Sequence, residues 1–403
     1  MDYFKTETNR VSKESKQLGQ KREIIALLRK SDLPLTIPVI CKEVRLSVPT
    51  GTKLVNELID EKFIVEAGKI ETENGRRPVV YKVNPQCGYI IGVEILLKRL
   101  SVSVFDIEMH EVYVDRDKSF ILENTSDCLE YVINFLEKSI HSSAIQREKI
   151  LGVGVGITGR VNSISGESYN FFNFPEEGIT SFLSKKLQLP VFVDNDTHII
   201  GLSELFFGQA KDVRNALIVN LSRGLGLAII LNGELVPGDN GFAGEFGHMQ
   251  FGDSTKLCMC GKRGCLGMEV SGFALEENFK EKVEEGESSL LLSENKGLKI
   301  RYDAILNAAW EGDALSISLL HDIGFKLGKA LGNITNLLNP GQIIIGGKFA
   351  VARGVLADAI KSGMTHTTLS QPLRSCQISF SEMGENNGLK GAAAQVLSHY
   401  RLI

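Results

Sequence analysis

Four potential metal ligands lie within eighteen consecutive residues of the segment GEFGHMQFGDSTKLCMCGKRGCLG. They are His248, Cys258, Cys260 and Cys265. Three thiolates and one imidazole form the donor set of a closed tetrahedral zinc site, with no position left for a substrate water. Gly261 and Gly264 allow the short cysteine loop to fold back on itself. The spacing therefore predicts a structural Zn²⁺, and the alternative is three cysteines that are merely neighbours in a glycine-rich turn.

The elements that must position these ligands belong to a β-rich body that begins near residue 89. The stretches YIIGVEI and RLSVSVFD predict a hairpin, and ILGVGVGIT, LPVFVDND and NALIVNLS predict further buried strands. The last third alternates helical patterns with one strand, QIIIGG. These patterns indicate an α/β protein, but periodicity alone does not give its topology.

A different pattern precedes this body. Helical periodicity in QKREIIALLRKS is followed by a shorter helix in TIPVICKEVR and a third in SVPTGTKLVNELIDEKFI. Two short β segments then flank the turn ENGRR. Helix, helix-turn-helix and β-hairpin is the order of a winged-helix DNA-binding domain. A small helical domain for protein contacts is the alternative.

Charge and cysteine usage restrict the possible functions. Residues 1–85 hold sixteen lysines and arginines against twelve acidic residues, whereas the whole chain has a net charge of −4. A basic N-terminal part (residues 1–85, the head) followed by an acidic remainder (the body) favours a polyanionic partner for the head. No stretch is long and apolar enough to span a membrane, and the polar N-terminus has no signal-peptide core. The scattered cysteines outside the metal loop do not form a disulfide framework, which favours a cytoplasmic location.

The metal loop also carries a family resemblance. The pattern GHMxF…CxCGxxGC resembles the zinc loop of the ROK family of repressors, open reading frames and sugar kinases. The resemblance continues in LGVGVGITGRVN, LPVFVDNDTHIIGLSELFFG, LGNITNLLNPGQIIIGGKFA and LKGAAAQVL, and covers roughly residues 88–403 in order. It implies a two-lobed actin-like (ribonuclease-H-like) fold. The expected boundaries are a disordered tail at 1–17, a winged helix-turn-helix domain at 18–85, a first lobe at 88–198 with a C-terminal helix at about 388–403, and a second lobe with the zinc loop at 199–387.

The winged helix offers polar side chains for operator DNA. The candidates in the recognition helix are Ser47, Thr50, Thr52, Lys53 and Asn56. The N-terminal end of such a helix enters the major groove, where these groups can reach base edges or phosphates. Arg76 and Arg77 lie in the wing turn and suit phosphate or minor-groove contact. The GRRP segment resembles the head of the family's xylose and N-acetylglucosamine repressors, and the family's kinases lack this head.

The resemblance implies two phosphate loops in the kinases, and this sequence departs from both. The first has the form Asp-x-Gly-Gly-Thr, but Glu94 here is followed by Ile, Leu96, Leu97 and Lys98. Side chains at 96 and 97 would block the close backbone approach that a phosphate requires. The second usually reads Gly-Thr-Gly-x-Gly, whereas Arg223 replaces the threonine. Kinase activity is therefore not expected, although an isolated arginine can still attract phosphate.

The sugar-binding half of the family pattern is better kept. The matching positions are Gly159, Arg160, Asn195, Asp196, Glu245 and His248. The resemblance implies that Asp196 would be the catalytic base of a kinase and that these residues hold sugar hydroxyls, which requires no ATP. A helix cap is the alternative role for Asp196. Gly267 replaces a glutamate common in the family. Either Glu269 reaches the sugar from the next helical turn instead, or the pocket binds a different or smaller ligand.

These observations favour a zinc-containing transcriptional repressor that binds operator DNA and responds to a sugar or sugar derivative. A symmetric operator favours an even number of subunits, a homodimer or homotetramer. The alternative is an ATP-dependent sugar kinase with a regulatory head. A third possibility is a sugar-sensing adaptor that binds a transport protein rather than DNA.

Overall fold

The computed structural model describes residues 13–70, 77–252, 255–294 and 300–403. The chain forms two compact units, one made of Met1–Ile199 with Gly388–Ile403 and the other of Ile200–Asn387. Among the described residues, no helix combines the length and apolar character needed to cross a bilayer.

The first unit begins with three helices and a small sheet. Their bounds are α1 Lys13–Lys30, β1 Leu35–Thr36, α2 Ile37–Glu43, α3 Val48–Asp60, β2 Ile64–Lys69 and β3 Val79–Val83. The strands pair in the order β1-β3-β2, and β2 and β3 are antiparallel with a register shift between Glu66 and Lys69. The first helix begins at Lys13, so the end of the expected tail, residues 13–17, is helical, and residues 1–12 lie outside the described part of the chain.

Local sequence explains the start and the orientation of α3. The side chain of Ser47 accepts a hydrogen bond from the backbone N–H of Thr50, and a proline follows in the first turn. Both features are typical of a helix N-terminus and fix the start of α3. Gly51, Leu54, Val55 and Leu58 form its buried face. A β-carbon at Gly51 would overlap Sγ of Cys41, so this glycine allows α2 and α3 to pack closely.

The main sheet of the first unit comes next. Its elements are β4 Tyr89–Leu96, β5 Arg99–Asp106, β6 Glu111–Asp117, α4 Ser126–Ser142, β7 Ile150–Ile157, β8 Val161–Asn162, β9 Glu167–Ser168, α5 Gly178–Leu187, β10 Val191–Asn195 and α6 Asp196–Phe207. The strand order is β10-β7-β4-β5-β6, in which β4, β5 and β6 are antiparallel neighbours and β7 and β10 add in parallel.

The second unit repeats this plan. Its elements are β11 Ala216–Leu221, β12 Leu225–Leu231, β13 Glu234–Leu235, α7 Gly272–Glu284, α8 Leu291–Glu294, α9 Tyr302–Trp310, α10 Ala314–Leu338, β14 Gln342–Gly346, α11 Arg353–Thr365, α12 Ser370–Ser375 and β15 Gln377–Phe380. The order β13-β12-β11-β14-β15 has the same antiparallel meander followed by two parallel strands. The last helix, α13 Asn387–His399, belongs to the first unit from Gly388 onward. Two sheets of one topology are what the actin-like fold requires.

Candidate functional site

The structure brings the four predicted metal ligands together in the second unit. The nearest ligand atoms of His248, Cys258, Cys260 and Cys265 all lie within 4.8 Å of one another. Nδ1 of His248 is 3.5 Å from Sγ of Cys258, and the sulfurs of Cys260 and Cys265 are 3.5 Å apart. Two sulfurs bound tetrahedrally to one zinc at about 2.3 Å would be separated by about 3.8 Å. The cluster therefore has the size and the donor chemistry of a metal site.

Backbone hydrogen bonds hold this loop in its folded-back shape. The N–H of Cys258 donates to the carbonyl of Lys262 at 2.8 Å, and the N–H of Phe251 donates to the carbonyl of Gly264 at 2.8 Å. Gly261 and Gly264 adopt φ values of 84° and 75°, a region that glycine enters without strain. The predicted role of these two glycines agrees with the observed turns.

Electrostatics also favour a cation at this cluster. Burial, together with the neighbouring sulfurs, raises the pKa of the Cys265 thiol to about 12. The backbone N–H of Lys262 lowers the pKa of Cys260. A bound divalent cation would hold all three sulfurs as thiolates, because it supplies the positive charge that crowded thiolates lack.

Glu245 lies on the other edge of the histidine ring. Its Oε2 is 3.7 Å from Nε2 of His248, whereas Nδ1 of the same ring faces the sulfurs. A carboxylate at the far nitrogen of a metal-bound imidazole fixes the tautomer and orientation of the ring. Any disturbance of the cluster would thus reach Glu245 directly.

Two further positions of the second unit, Glu269 and Gly267, contact other groups of the protein. The carboxylate of Glu269 receives Nζ of Lys326 at 2.7 Å in an ion pair. Gly267 lies against the backbone of Gly247, where an added β-carbon would sit 3.2 Å from the carbonyl oxygen. This close approach gives a structural reason for glycine at 267, since a larger residue would have to displace the turn that carries His248.

In the first unit, the predicted turn and the predicted asparagine meet. Nδ2 of Asn195 donates to the carbonyl of Gly159 at 2.6 Å, and its Oδ1 accepts from the N–H of Thr197 at 2.8 Å. Gly159 has a φ of 102°, and the N–H of Arg160 donates to Oδ1 of Asn170 at 2.9 Å. Asn195 therefore caps α6 and fixes the turn that bears the exposed Arg160.

Asp196 is the first residue of α6 and lies near a second carboxylate. Burial, reinforced by the negative charge of Glu94, raises the pKa of Asp196 to about 6. Hydrogen bonds from Thr197 and Thr158 oppose this increase without cancelling it. A carboxyl group that titrates near neutrality is a common feature of functional sites.

Sequence reasoning missed a buried polar pair beside these residues. Nδ1 of His198 is 3.0 Å from Oδ1 of Asp194, and both side chains are almost fully buried. Asp194 is the next-to-last residue of β10, and His198 lies in the first turn of α6. Because Asp194 precedes the helix, the helical i, i+4 rule did not apply, and no local pattern predicted this contact.

The first phosphate-loop position has a different structure. Leu96 pairs with Arg99, so Leu97 and Lys98 alone form the turn between β4 and β5. Nη2 of Arg99 is 2.5 Å from Oε2 of Glu94 in an ion pair. A β-carbon on Gly92 would overlap the carbonyl oxygen of Leu389, so this glycine makes room for α13.

The second phosphate-loop position is also occupied by protein groups. Nη1 of Arg223 is 3.3 Å from Oε2 of Glu276, a buried carboxylate that also accepts the N–H of Tyr302. The carbonyl of Ser222 accepts the N–H of Gly272 at 2.7 Å. The turn therefore presents its carbonyls to the start of α7.

The recognition helix α3 exposes the side chains predicted to meet DNA. Thr50, Lys53 and Asn56 are exposed and Thr52 is half-buried, while the hydroxyl of Ser47 is engaged in the cap with Thr50. Glu57 and Glu61, at the C-terminal end of α3, both bind Nζ of Lys21 on α1. Lys53, the basic residue of α3, lies 3.7 Å from Oε1 of Glu57 and remains exposed. In the wing, Arg77 is exposed, and Arg76 lies outside the described residues.

Comparison with known proteins gives a consistent result. The model of the ROK family matches residues 90–399, which leaves the winged helix outside the match. A xylose repressor of Caldicellulosiruptor bescii is 28% identical over 361 residues, which cover 89% of this chain and 90% of the repressor.

Solved structures show the same relationship. A ROK family transcriptional regulator, a homologue of the Escherichia coli Mlc protein, superposes with a TM-score of 0.82 at 26% identity, over 96% of this chain and 97% of that one. A ROK glucokinase from Streptomyces griseus, bound to glucose and AMPPNP, has a TM-score of 0.66 at 24% identity and matches 76% of this chain with 99% of its own. The regulator, unlike the glucokinase, is matched across the head as well as the body. The glucokinase likeness shows the two-lobed fold alone.

Proposed function

The chain belongs to the ROK family, and we propose that it is a sugar-responsive transcriptional regulator that binds operator DNA through its N-terminal winged helix. The observation that carries this proposal is the outward-facing group of Thr50, Lys53 and Asn56 at the start of a capped recognition helix. Such a set can combine phosphate contact with base readout in the major groove. The similarity to a xylose repressor over nine-tenths of its length supports the same conclusion.

The proposed ligand is a sugar or sugar derivative. In the first unit, Gly159, Arg160, Asn195 and Asp196 supply hydrogen-bonding groups, and Glu245 and His248 supply them in the second. A carboxylate that accepts hydrogen bonds from vicinal hydroxyls holds a sugar without any nucleotide. Glu269 is the weakest of the proposed contacts because Lys326 already neutralises it.

The proposed metal is a structural Zn²⁺. His248, Cys258, Cys260 and Cys265 would hold it, and the ion would fix the loop that positions Glu245 and the imidazole. No open position for a reacting water is expected, since four protein ligands complete a tetrahedron.

The absence of a usable phosphate loop supports regulation over phosphoryl transfer. A kinase of this fold depends on glycine-rich turns that admit and orient the nucleotide phosphates. Here the Glu94–Arg99 pair and the Arg223–Glu276 pair occupy those two positions. Operator symmetry favours a homodimer or homotetramer as the functional species.

The test of DNA binding is selection of duplexes from the organism's own promoter fragments by the zinc-loaded protein. We expect a specific fragment whose affinity falls as salt rises, with a log–log slope that decreases by about 1 in Lys53→Ala or Arg77→Ala. Lys186→Ala, at an exposed lysine of α5 in the main body, is the matched control and is expected to leave the slope unchanged. Retention of no fragment above non-specific background would contradict the proposal.

The test of ligand binding is a thermal-shift screen with monosaccharides, amino sugars and sugar phosphates, each with and without Mg-ATP. Stabilisation by one sugar, without a further effect of ATP, is expected of a regulator. Additional stabilisation by ATP accompanied by a phosphorylated product would instead identify a kinase.

A further inference from the structure

Helix α13 packs directly against strands β4 and β7 and helix α6 of the first unit. A β-carbon on Gly154 of β7 would overlap the carbonyl oxygen of Ala392, as one on Gly92 of β4 would overlap that of Leu389. On the helix itself, a β-carbon on Gly391 would overlap the carbonyl oxygen of Ile199 in α6. Backbones in such direct contact cannot move independently, because no flexible side chain lies between them to absorb a shift.

The N-terminal end of α13 contacts Glu94, one of the two carboxylates. A β-carbon on Gly388 would overlap Oε1 of Glu94. Glu94 is only 6% exposed, and its negative charge acts on Asp196. A change in charge or position of either carboxylate therefore acts on the first turn of the helix.

The C-terminal end contacts the winged helix. After α13, the hydroxyl of Tyr400 donates to the carbonyl of Leu151 at 3.2 Å, and Leu402 is completely buried. Nη1 of Arg29, in the last turn of α1, donates to the carbonyl of Leu402, and its Nε donates to the carbonyl of Ile107 at 2.6 Å.

Arg29 is a costly group to bury. Desolvation lowers its pKa to about 10 despite the nearby charges of Glu108 and Asp106. Its hydrogen bonds to the carbonyls of Ile107 and Leu402 offset part of the desolvation cost. The guanidinium therefore holds both of these segments to α1 only while both carbonyls stay in place. Apolar packing surrounds this contact, since one buried cluster joins side chains of α1 and α13. Its members include Ile24, Ile25, Leu28, Leu389, Ala393 and Leu397.

We propose that α13 couples the Glu94–Asp196 carboxylate pair to the winged helix, and that Arg29 is the positioning residue that fixes the winged helix to the far end of α13. The inference rests on the proposed function, for which it supplies the route of regulation. Occupation of the carboxylate pair changes the packing of Glu94 against the first turn of α13. The helix then moves together with β4, β7 and α6, which its backbone contacts, and the Leu402 carbonyl shifts relative to α1. Contact along a path does not by itself demonstrate coupling, so the test is a double-mutant cycle between the two ends.

The cycle combines Gly388→Ala with Arg29→Met. The first change places a β-carbon against the carboxylate of Glu94, and the second keeps a long unbranched side chain but removes both hydrogen-bond donors. The readout is hydrogen exchange of the full-length, zinc-loaded protein, resolved to α1 and α3. We expect Gly388→Ala to increase exchange in these helices by about fivefold or more, the lower range of measured couplings. In the Arg29→Met background the same change is expected to add nothing.

Gly354→Ala is the matched control, because this helical glycine of α11 has open space around it and no effect on α1 is expected. If Gly388→Ala fails to fold, Glu94→Gln perturbs the same end. Unchanged exchange in α1 and α3, or an equal increase with and without Arg29, would overturn the coupling. The readout needs neither DNA nor an identified sugar. A protein that shows the coupling but selects no promoter fragment would therefore refute the proposed function alone.

Discussion

The guanidinium of Arg99 pairs with the carboxylate of Glu94 across the two-residue turn that joins β4 to β5, at 2.5 Å. In a kinase of this fold the turn after this strand would receive the phosphates of ATP. Here the carboxylate is paired with a residue five positions later, and leucines replace the glycines. The pair therefore joins the two strands of the hairpin at the position of the family's first phosphate loop.

No phosphoryl transfer is expected from the native chain. ADP release measured with a panel of sugars and Mg-ATP should not exceed that of Asp196→Asn, which lacks the candidate base. Replacement of Leu96, Leu97 and Lys98 by Gly-Gly-Thr tests whether the loop alone is missing. Turnover by the native protein that disappears in Asp196→Asn would show that the chain is an enzyme.

The raised pKa of Asp196 predicts a specific pH dependence of stability. Its folded value is about 6, and the unfolded value is about 3.9. Between these values the folded state binds more protons than the unfolded state, so the contribution of this group to stability falls as pH rises from about 4 to about 6. The expected loss is on the order of 3 kcal/mol.

The measurement is the free energy of unfolding of the native protein minus that of Asp196→Asn, across pH 4.5–7. The subtraction removes the titration of the metal ligands, which both proteins share. Exposed Asp239→Asn is the control and should give a flat difference. A difference that rises with pH would mean that Asp196 has a lowered pKa and is held as an anion.

Loss of one sulfur is expected to remove the metal and destabilise the second unit. Cys258→Ser, Cys260→Ser and Cys265→Ser each leave three ligands, and loss of a structural metal belongs to the changes that cost about 4 kcal/mol or more. Metal content and the unfolding midpoint should fall together and should be accompanied by loss of sugar binding. Cys376→Ser, a partly buried cysteine of the same unit outside the cluster, should keep both. Native protein purified without any metal would contradict the assignment.

The features that the sequence predicted are those that residues close in sequence determine. The four candidate metal ligands are close in sequence, so their spacing alone predicted a cluster that the structure brings within 4.8 Å. The β4–β5 hairpin was likewise a local pattern, and it appears in the structure. The actin-like fold came from the family resemblance, and the matched sheet orders and the solved relatives confirm it.

What the sequence did not reveal depends on contacts between distant segments. Arg29 and Leu402 are separated by 373 positions, and no periodicity connects them. The roles of Gly92 and Gly388 were hidden for the same reason, because a glycine that allows a distant helix to approach looks like any other glycine. The short strand β1 and its pairing with β3 were also missed, since two residues carry too little pattern.

The contact between Gly51 and Cys41 gives a final prediction for the winged helix. In the interior of a helix, alanine is favoured over glycine by about 1 kcal/mol. At Gly51 the added β-carbon would overlap the buried Sγ of Cys41, and overpacking of a tight core costs about 1–3 kcal/mol. We expect Gly51→Ala to destabilise the head and weaken DNA binding, and Cys41→Ala in the same chain to restore both by removing the sulfur. Hydrogen exchange in α3 measures the effect, and failure of Cys41→Ala to rescue Gly51→Ala would show that the sulfur is not the obstacle.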